Sequence, residues 1–387
     1  MTQRAIPAIF MRGGTSKGLF FHRRDLPAEP ADWDPIFLAA IGSPDPYGRQ
    51  LDGMGGGISS LSKVMVVARS GRTDADVDYT FGQVAVGEPL VDYGGNCGNL
   101  TSAIGPFAVD EGLVRTGDGE ARLRLYNTNS DKLIEARFAV RAGRAVVEGA
   151  QALPGVAGTG APIHLDFLDP GGAVTGRLLP TGAAVDRLDV PGHGPIEVSV
   201  VDATTAVAFV RAGDLGLAGN EMPEALEAMP EVLKRLEAIR LAVAERIGLP
   251  SSGKAVPKIG FVAPPQAATT LAGERLAPEA MQLCARIMSM GRPHRALPLT
   301  GALCTAVAAA IDGTLVAQAR VGAGDLMVAQ PSGLLSLNAE VERHPAWHAR
   351  RAVVLRTARR LMEGCVLVPE RQLSGAAATP LRQAAEA

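Results

Sequence analysis

One cysteine of the chain, Cys97, lies between two Gly-Asn pairs in the segment Gly95-Asn96-Cys97-Gly98-Asn99. Glycine and asparagine tolerate positive φ angles, so the backbone can turn sharply on both sides of the thiol. If the uncharged residues that follow form a helix, the N–H groups of its first turn attract anions beside Cys97. We therefore predict a reactive role for Cys97, against the alternative of a small buried core thiol, and anion contacts from Asn96, Gly98 and Asn99.

Lys63 is the second candidate, because it ends a polar, glycine-rich loop and opens the apolar run Val64-Met65-Val66-Val67. A lysine at such an edge loses part of its hydration, which lowers its pKa and lets the neutral amine abstract a proton near neutral pH. The alternative is a solvated surface lysine, which is the usual state of this residue type.

Two further clusters contain residue types that suit a carboxylate ligand. The turn Met11-Arg12-Gly13-Gly14-Thr15-Ser16-Lys17-Gly18 combines glycines, hydroxyls and cations, which is typical of either an anion-binding loop or a plain hairpin turn. The segment Ser289-Met290-Gly291-Arg292-Pro293-His294-Arg295 contains arginines that can bind a carboxylate through two N–H groups. The candidate binding residues in these clusters are Arg12, Thr15, Ser16, Lys17, Ser289, Met290, Arg292, His294 and Arg295.

No sequence pattern indicates a metal or a cofactor. The 6 histidines form no pair at metal-ligand spacing on a helix, and the 4 cysteines form no CxxC pair. A dinucleotide fingerprint, a P-loop and the G-x-S-x-G turn of hydrolases do not occur either. We therefore expect a site that holds no metal and works with side chains alone.

The balance of charge limits the partners. The chain of 387 residues has 38 Lys and Arg against 40 Asp and Glu, a formal charge of −2, and 47% of its residues are hydrophobic. This near-neutral, globular composition has no basic surface for nucleic acid or for an anionic membrane. Few cysteines, no export signal and no apolar run long enough for a membrane span lead us to expect a cytoplasmic protein.

Short alternating or apolar runs between many glycines and prolines predict a strand-rich fold. An amphipathic helix is expected over residues 231–247, where apolar residues recur every three or four positions. The expected strands include residues 64–68, 77–81, 121–126, 197–201 and 259–263.

Residues 98–109 and 296–311 contain no charged side chain. A helix that is apolar on every side must be buried on every side, and in a strand-rich chain its place is inside a curved sheet. One such helix in each half predicts an α+β fold of two pseudo-symmetric domains, each a barrel-like sheet around a central apolar helix. We place the domains at 1–185 and 186–372, with the last strand free to return to the first domain, and a frayed tail at 373–387.

Five motifs occur in order along the chain. They are Met11-Arg12-Gly13-Gly14-Thr15-Ser16-Lys17-Gly18, Gly42-Ser43-Pro44-Asp45-Pro46-Tyr47-Gly48, Asp52-Gly53-Met54-Gly55-Gly56, Ser62-Lys63 and Gly95-Asn96-Cys97-Gly98-Asn99. With these motifs the chain resembles the PrpF family, which includes 2-methylaconitate cis-trans isomerase, 3-methylitaconate Δ-isomerase and 4-oxalomesaconate tautomerase. Shorter matches at Pro180-Thr181-Gly182, Ser289-Met290-Gly291 and residues 356–364 extend the resemblance over almost the whole chain.

The resemblance implies a diaminopimelate-epimerase-like fold with the active site in the cleft between the domains. It implies that Lys63 is the base and that Cys97 is the family's cysteine, and it adds Thr300, Gly301 and Ser332 to the expected substrate-binding residues. The related racemases use two cysteines, one before each central helix, whereas Pro298 stands at the second position here. This difference favours an isomerase over a two-thiol racemase.

The resemblance further implies a cofactor-free isomerase that moves an allylic proton on a small unsaturated di- or tricarboxylate. Residues 46–50 and 59–63 favour cis-trans isomerisation of 2-methylaconitate in the methylcitrate cycle of propionate catabolism, whereas residues 127–129 and 196–202 are closer to methylitaconate members. Residues 203–206 depart from the Asn/Gly-containing turn expected of several members, which bears on substrate contacts at that turn. The double-bond shift in 3-methylitaconate and the tautomerisation of 4-oxalomesaconate stay open, as does the choice of Lys63 or Cys97 as the base.

Alternatives of another class are also open. One is a non-enzymatic accessory protein for an aconitase-like iron–sulfur enzyme, although no charged arm or exposed apolar helix in the sequence supports it. The expected partners are therefore a small polycarboxylate and, by a functional link, an aconitase-like enzyme. A homodimer is compatible with the sequence.

Overall fold

The computed structural model describes residues 2–373, so the predicted tail lies outside the described residues except for Leu373. The strands are β1 Gln3–Gly13, β2 Ser16–His22, β3 Lys63–Arg69, β4 Val77–Val84, β5 Val91–Asp92, β6 Gly119–Asn127, β7 Lys132–Arg141, β8 Arg144–Ala145, β9 Gln151–Leu153, β10 Val156–Gly160, β11 Ile163–Leu168, β12 Asp186–Val190, β13 Gly194–Asp202, β14 Ala206–Arg211, β15 Lys258–Ala263, β16 Ala268–Thr269, β17 Arg275–Leu276, β18 Leu283–Ser289, β19 Arg292–Pro293, β20 Leu326–Gln330, β21 Gly333–Arg343, β22 Trp347–Arg356 and β23 Ala358–Pro369.

The helices are fewer and most of them are short. None of those within residues 2–373 combines the length and the apolar character that a membrane crossing requires. They are α1 Asp34–Ile41, α2 Gly98–Asp110, α3 Pro223–Glu227, α4 Pro230–Arg246, α5 Leu299–Ala309, α6 Leu315–Ala319 and α7 Glu370–Leu373.

All five strands that the sequence predicts are present, as β3, β4, β6, β13 and β15. Each strand covers its predicted range and extends beyond it at one or both ends. The extension occurs because pairing with a neighbouring strand continues beyond the apolar run. In β6, buried and exposed residues alternate along most of the strand, which is the period-two pattern of a sheet with one face in the core. The predicted helix at 231–247 is α4, and its buried residues lie on one face.

The two halves of the chain repeat one order of strand pairing. In the first half, β2 and β3 are parallel, β3 and β4 antiparallel, β4 and β6 parallel, and β6 and β7 antiparallel. In the second half, β14, β15, β18, β20 and β21 follow with the same sequence of parallel and antiparallel pairs. A duplicated unit therefore underlies the fold, although the residues of the two copies are not visibly alike. The domain boundary near residue 185 stays a prediction.

The end of the chain returns to its beginning. β23 pairs with β1 in antiparallel register from Gln3↔Pro369 to Gly13↔Ala358. β22 pairs with β21 on one side and with β11 on the other. The last two strands therefore tie the second half of the chain to the first, and the relative position of the halves does not depend on a single linker.

Each half contains one helix that is buried on all sides. Every residue of α2 except the last, Asp110, is buried, and so is every residue of α5. This confirms the prediction made from the two uncharged segments, although α5 is shorter than its segment and begins at Leu299, with Pro298 at the N-cap position. The phenyl ring of Phe107, on α2, lies 5.7 Å from the ring of Phe20 and 5.0 Å from that of His22, so the helix packs directly against β2.

Replacing Phe107 by alanine should lower the free energy of unfolding by about 3–5 kcal/mol, because the ring is fully buried and its loss leaves a cavity inside the sheet. Leu241→Ala on the exposed face of α4 is the matched control and should change the free energy by less than about 0.5 kcal/mol. Urea denaturation of both variants measures the difference. Equal stabilities would mean that α2 is not a central core element.

Candidate active site

The predicted cysteine loop lies where the two central helices meet. Cys97 caps the N-terminus of α2 and is 7% exposed. A Cβ added to Gly98 would lie 3.1 Å from Cδ2 of Leu299, in the first turn of α5. The start of α2 therefore contacts the start of α5, and any side chain at position 98 would press on Leu299.

A hydrogen bond reinforces this meeting of the helix starts. The hydroxyl of Thr300, in the first turn of α5, donates to the backbone oxygen of Asn96 over 3.4 Å. Both helices thus direct the free N–H groups of their first turns toward one cavity, an arrangement that attracts anions. Pro298 occupies in the second half the capping position that Cys97 occupies in the first.

Lys63, the first residue of β3, lines the same cavity and is 7% exposed. Its ammonium donates to Oε1 of Gln83 over 2.5 Å. The amide nitrogen of Gln83 donates in turn to the backbone oxygens of Ser59 and Ser62, over 3.1 and 2.9 Å. Because these bonds fix the amide, its oxygen can only face Lys63, and Gln83 positions the lysine.

The surroundings of Lys63 tune its charge. Burial lowers the pKa of Lys63, and this effect outweighs the neighbouring Cys97, whose thiolate charge and hydrogen bond act in the opposite direction. The phenyl ring of Phe81 lies 5.0 Å from the ammonium. A lowered pKa increases the fraction of neutral amine near neutral pH, which a general base requires.

A second lysine, Lys258, lines the same cavity and was not among the predicted site residues. It is the first residue of β15, is 9% exposed, and its ammonium donates to the backbone oxygen of Ala255 over 2.8 Å. Burial, and then the charge of Lys63, lower the pKa of Lys258 to about 8. The sequence signal was the same as for Lys63, a lysine that opens an apolar strand, but no glycine-rich motif drew attention to it.

Asp92 holds the two lysine-bearing halves together. Its carboxylate accepts from the backbone N–H groups of Gly94, Lys254 and Ala255, over 2.8, 3.1 and 2.8 Å. The first of these precedes the Cys97 loop and the other two precede Lys258. One carboxylate therefore fixes the distance between the elements that supply the two lysines.

Most of the predicted site residues line this cavity. Its own volume is about 20 Å³, room for about one water molecule, but a neighbouring cavity of about 230 Å³ shares part of its wall. Predicted residues that line the small cavity are Ser16, Lys63, Asn96, Cys97, Gly98, Asn99, Ser289, Met290, His294 and Thr300.

The three basic residues of the 289–295 segment differ in their surroundings and charge. Arg292 and Arg295 line the neighbouring cavity, and Arg295 is paired with Glu224 over 2.6 Å. Burial, and to a smaller extent the charges of Lys63 and Lys258, lower the pKa of His294 to about 4 although the hydrogen bond with Ala296 acts in the opposite direction. This side chain is therefore neutral at pH 7. Its Nδ1 accepts from the N–H of Ala296 over 3.0 Å, which leaves Nε2–H as a neutral donor for a ligand.

Three other predicted residues, Arg12, Lys17 and Ser332, are not among the side chains that line the small cavity. The guanidinium of Arg12 donates to the backbone oxygens of Gly14 and Thr357. The ammonium of Lys17 lies 5.4 Å from the ring of Phe10, and Oγ of Ser332 donates to the backbone oxygen of Arg295.

Two other predicted residues support the helix starts. Thr15 accepts from the side-chain amide of Asn99 over 3.1 Å. A Cβ on Gly301 would lie 2.8 Å from Cδ1 of Ile287, so the close packing of α5 on β18 explains the glycine.

Arg356 is a buried residue that was not among the predicted site residues, although it lies in one of the shorter family matches. Its Nε donates to Oδ1 of Asn99 over 3.2 Å, and burial lowers the pKa of Arg356 to about 9. With Thr15 on its other side, the Asn99 amide has a single orientation. Arg356 therefore supports the first turn of α2 from behind.

The described side chains offer no obvious place for a metal ion. Within residues 2–373, no group of three or more His, Cys, Asp or Glu side chains is arranged to hold one. The chemistry available in the cavity is that of two lysines, one thiol, one neutral histidine and two helix N-termini.

Comparison with known proteins gives consistent matches over the full length. The family model described as PrpF protein matches residues 3–369. The chain is 39% identical to the 2-methyl-aconitate isomerase of Shewanella oneidensis, with 95% of this chain and 98% of the relative covered. It is 38% identical to the 3-methylitaconate isomerase of Eubacterium barkeri, with 96% and 99% covered.

A crystal structure of methylitaconate-delta-isomerase superposes with a TM-score of 0.77 at 37% identity, covering 99% of this chain and 100% of that one. This similarity confirms the predicted fold class. The strand-rich halves around buried helices are thus shared with an enzyme that the sequence motifs had suggested as a relative.

Substitutions of Gln83 should shift the pKa of Lys63, upward or downward according to the side chain introduced. Gln83→Glu places a carboxylate beside the ammonium and should raise the pKa of Lys63, whereas Gln83→Met removes the acceptor and should lower it. The ¹³C shift of the Lys63 ε-carbon, followed by NMR over pH in lysine-labelled protein and assigned with Lys63→Met, measures both. Identical titration curves for the three proteins would show that Gln83 does not act on Lys63.

Proposed function

This chain belongs to the PrpF family, and from that premise we propose that it is an isomerase that moves an allylic proton on a small unsaturated polycarboxylate. The observation that carries the proposal is the buried Lys63 beside Cys97, in a cavity toward which two helix N-termini converge. A base of lowered pKa and a place for anions are the two requirements of this chemistry.

The reaction needs only groups that the cavity contains. Neutral Lys63 takes a proton from the carbon γ to a carboxylate across the C=C bond and becomes an ammonium. The electron pair of the broken C–H bond forms a new double bond, and the former double-bond pair moves toward the carboxylate, giving a dienolate. The helix N-termini stabilise this developing negative charge.

The dienolate can then return to product in two ways. The former double bond is now a single bond, so rotation followed by return of the proton from Lys63 to the same carbon gives the cis-trans isomer. Return of the proton to the carbon α to the carboxylate shifts the double bond instead. Either route regenerates neutral Lys63, and no other co-reactant takes part.

Among the substrates, 2-methylaconitate has the best support. The similarity to the Shewanella oneidensis enzyme and the sequence of residues 46–50 and 59–63 favour cis-trans isomerisation. The second candidate is the double-bond shift of 3-methylitaconate, favoured by the relative from Eubacterium barkeri and by the superposed structure.

¹H NMR in D₂O tests the reaction and the substrate together. The protein is incubated with cis- and trans-2-methylaconitate, 3-methylitaconate and 4-oxalomesaconate, each in turn. We expect deuterium incorporation at the allylic carbon and interconversion of the two 2-methylaconitate isomers. Absence of exchange with all of these acids would contradict the isomerase proposal.

Two substitutions separate the roles of the paired side chains. Lys63→Met should lower the exchange rate by roughly 10²-fold to 10⁴-fold, the usual contribution of a positioned base, whereas Cys97→Ala should cost less because the base remains. Lys234→Met, an exposed lysine on α4, is the control and should leave the rate unchanged.

Either of two results would redirect the interpretation. Full exchange activity in Lys63→Met would exclude Lys63 as the base. Separately, the accessory role would be favoured over catalysis if the wild type showed no exchange and Lys63→Met kept the wild type's supporting effect on an aconitase-like enzyme.

A further inference from the structure

We infer that Lys258 is the substrate anchor of this site: its ammonium binds the carboxylate on which negative charge develops, while Lys63 moves the proton. The inference rests on the proposed function for its chemistry, but it concerns a residue that neither the motifs nor the family resemblance had singled out. Four observations, on topology, partners, charge and space, support it.

Topology makes Lys258 the counterpart of Lys63. Lys63 is the first residue of β3, which is parallel to β2 and antiparallel to β4. Lys258 is the first residue of β15, which is parallel to β14 and antiparallel to β18. The duplicated unit therefore brings one lysine from each half to the same cavity, as it brings one helix N-terminus from each half.

Their partners differ, and this difference assigns the roles. Lys63 lies opposite Gln83 in the strand register and its ammonium is already engaged by that amide and by Cys97. Continuing the register of β15 and β18 by two residues places Ser289 opposite Lys258. Among the described residues, the ammonium of Lys258 donates only to the backbone oxygen of Ala255, so two of its three N–H groups remain for a ligand.

The charge of the cavity requires an anion. No aspartate or glutamate is among the side chains that line it, and the nearby carboxylate of Asp92 already accepts three backbone N–H groups. His294 is neutral at pH 7 because of its lowered pKa. A buried ammonium without a counterion is costly, and a substrate carboxylate would supply that counterion.

The space beyond Lys258 suits a molecule with more than one carboxylate. The larger cavity of about 230 Å³ shares Ser289, Met290 and His294 with the small cavity. Its wall contains three cationic side chains against two carboxylates: Lys254, Arg292 and Arg295 against Glu88 and Glu227. A ligand that places one carboxylate between Lys258 and the helix starts can extend its remaining groups into this neighbouring space. A single carboxylate would leave that space without a contact.

Binding of tricarballylate tests the assignment without any turnover, since this tricarboxylate has no double bond to isomerise. Isothermal titration calorimetry compares the wild type with Lys258→Met, Lys63→Met and the exposed control Lys234→Met. We expect Lys258→Met to weaken binding by roughly 10- to 100-fold, the value of a charged hydrogen bond. Lys63→Met and Lys234→Met should stay within about 3-fold of the wild type, because Lys63 is not the anchor.

Two binding results would overturn the inference. One is equal affinity of Lys258→Met and the wild type, and the other is an equal loss in Lys63→Met, which would indicate general attraction by positive charge. If Lys258→Met does not fold, as judged by circular dichroism, NMR of the wild type decides. Saturation with tricarballylate should raise the pKa read from the Lys258 ε-carbon, and an unchanged pKa would contradict the contact.

A second test measures kcat and KM of the variants with the acid that the wild type isomerises. Lys258→Met should raise KM at least as strongly as it lowers kcat, whereas Lys63→Met should lower kcat with little change in KM. A normal KM in Lys258→Met would overturn the anchor role. If the wild type isomerises none of the acids but still binds tricarballylate through Lys258, the proposed reaction fails and the binding assignment stands.

Discussion

The contact between the starts of α2 and α5 is the constraint on which the site depends. Two helix N-termini that face one another bring partial positive charges together, which is unfavourable unless an anion lies between them. The fold enforces this arrangement because both helices are buried on all sides and their first turns touch at Gly98 and Leu299. The packing of the core therefore creates a site that attracts negative charge, and none of the side chains that line the small cavity is an aspartate or glutamate that could supply it.

Two buried lysines add to that affinity, and their chemistry depends on the differences between them. Lys63 is held by a fixed amide and a thiol, whereas Lys258 has one backbone partner. The same asymmetry separates Cys97 from Pro298 at the helix caps. A duplicated fold thus supplies two equivalent places at each level, and unlike residues occupy them. The proposed division, with proton transfer in one half and anion binding in the other, rests on this difference.

The relative position of the two halves is fixed by contacts that join one half to the other. The pairing of β23 with β1 and the three backbone N–H groups bound by Asp92 join segments that are far apart in sequence. A small shift between the halves would separate Lys258 from Lys63 and the helix starts from each other. The return of the chain end to its beginning is therefore part of the site, although it contributes no side chain to the small cavity.

Local patterns in the sequence determined the elements and singled out a candidate reacting pair. The absence of charge over 98–109 and 296–311 was sufficient to predict buried helices, because burial on all sides depends only on residue type. Lys63 and Cys97 stood out because loop glycines adjoin apolar segments. Only the tertiary structure decided side-chain direction and long-range pairing, which turned Arg12 toward a turn carbonyl and brought Lys258 to the cavity. These outcomes depend on strand register and on contacts between distant segments, which no short stretch of sequence encodes.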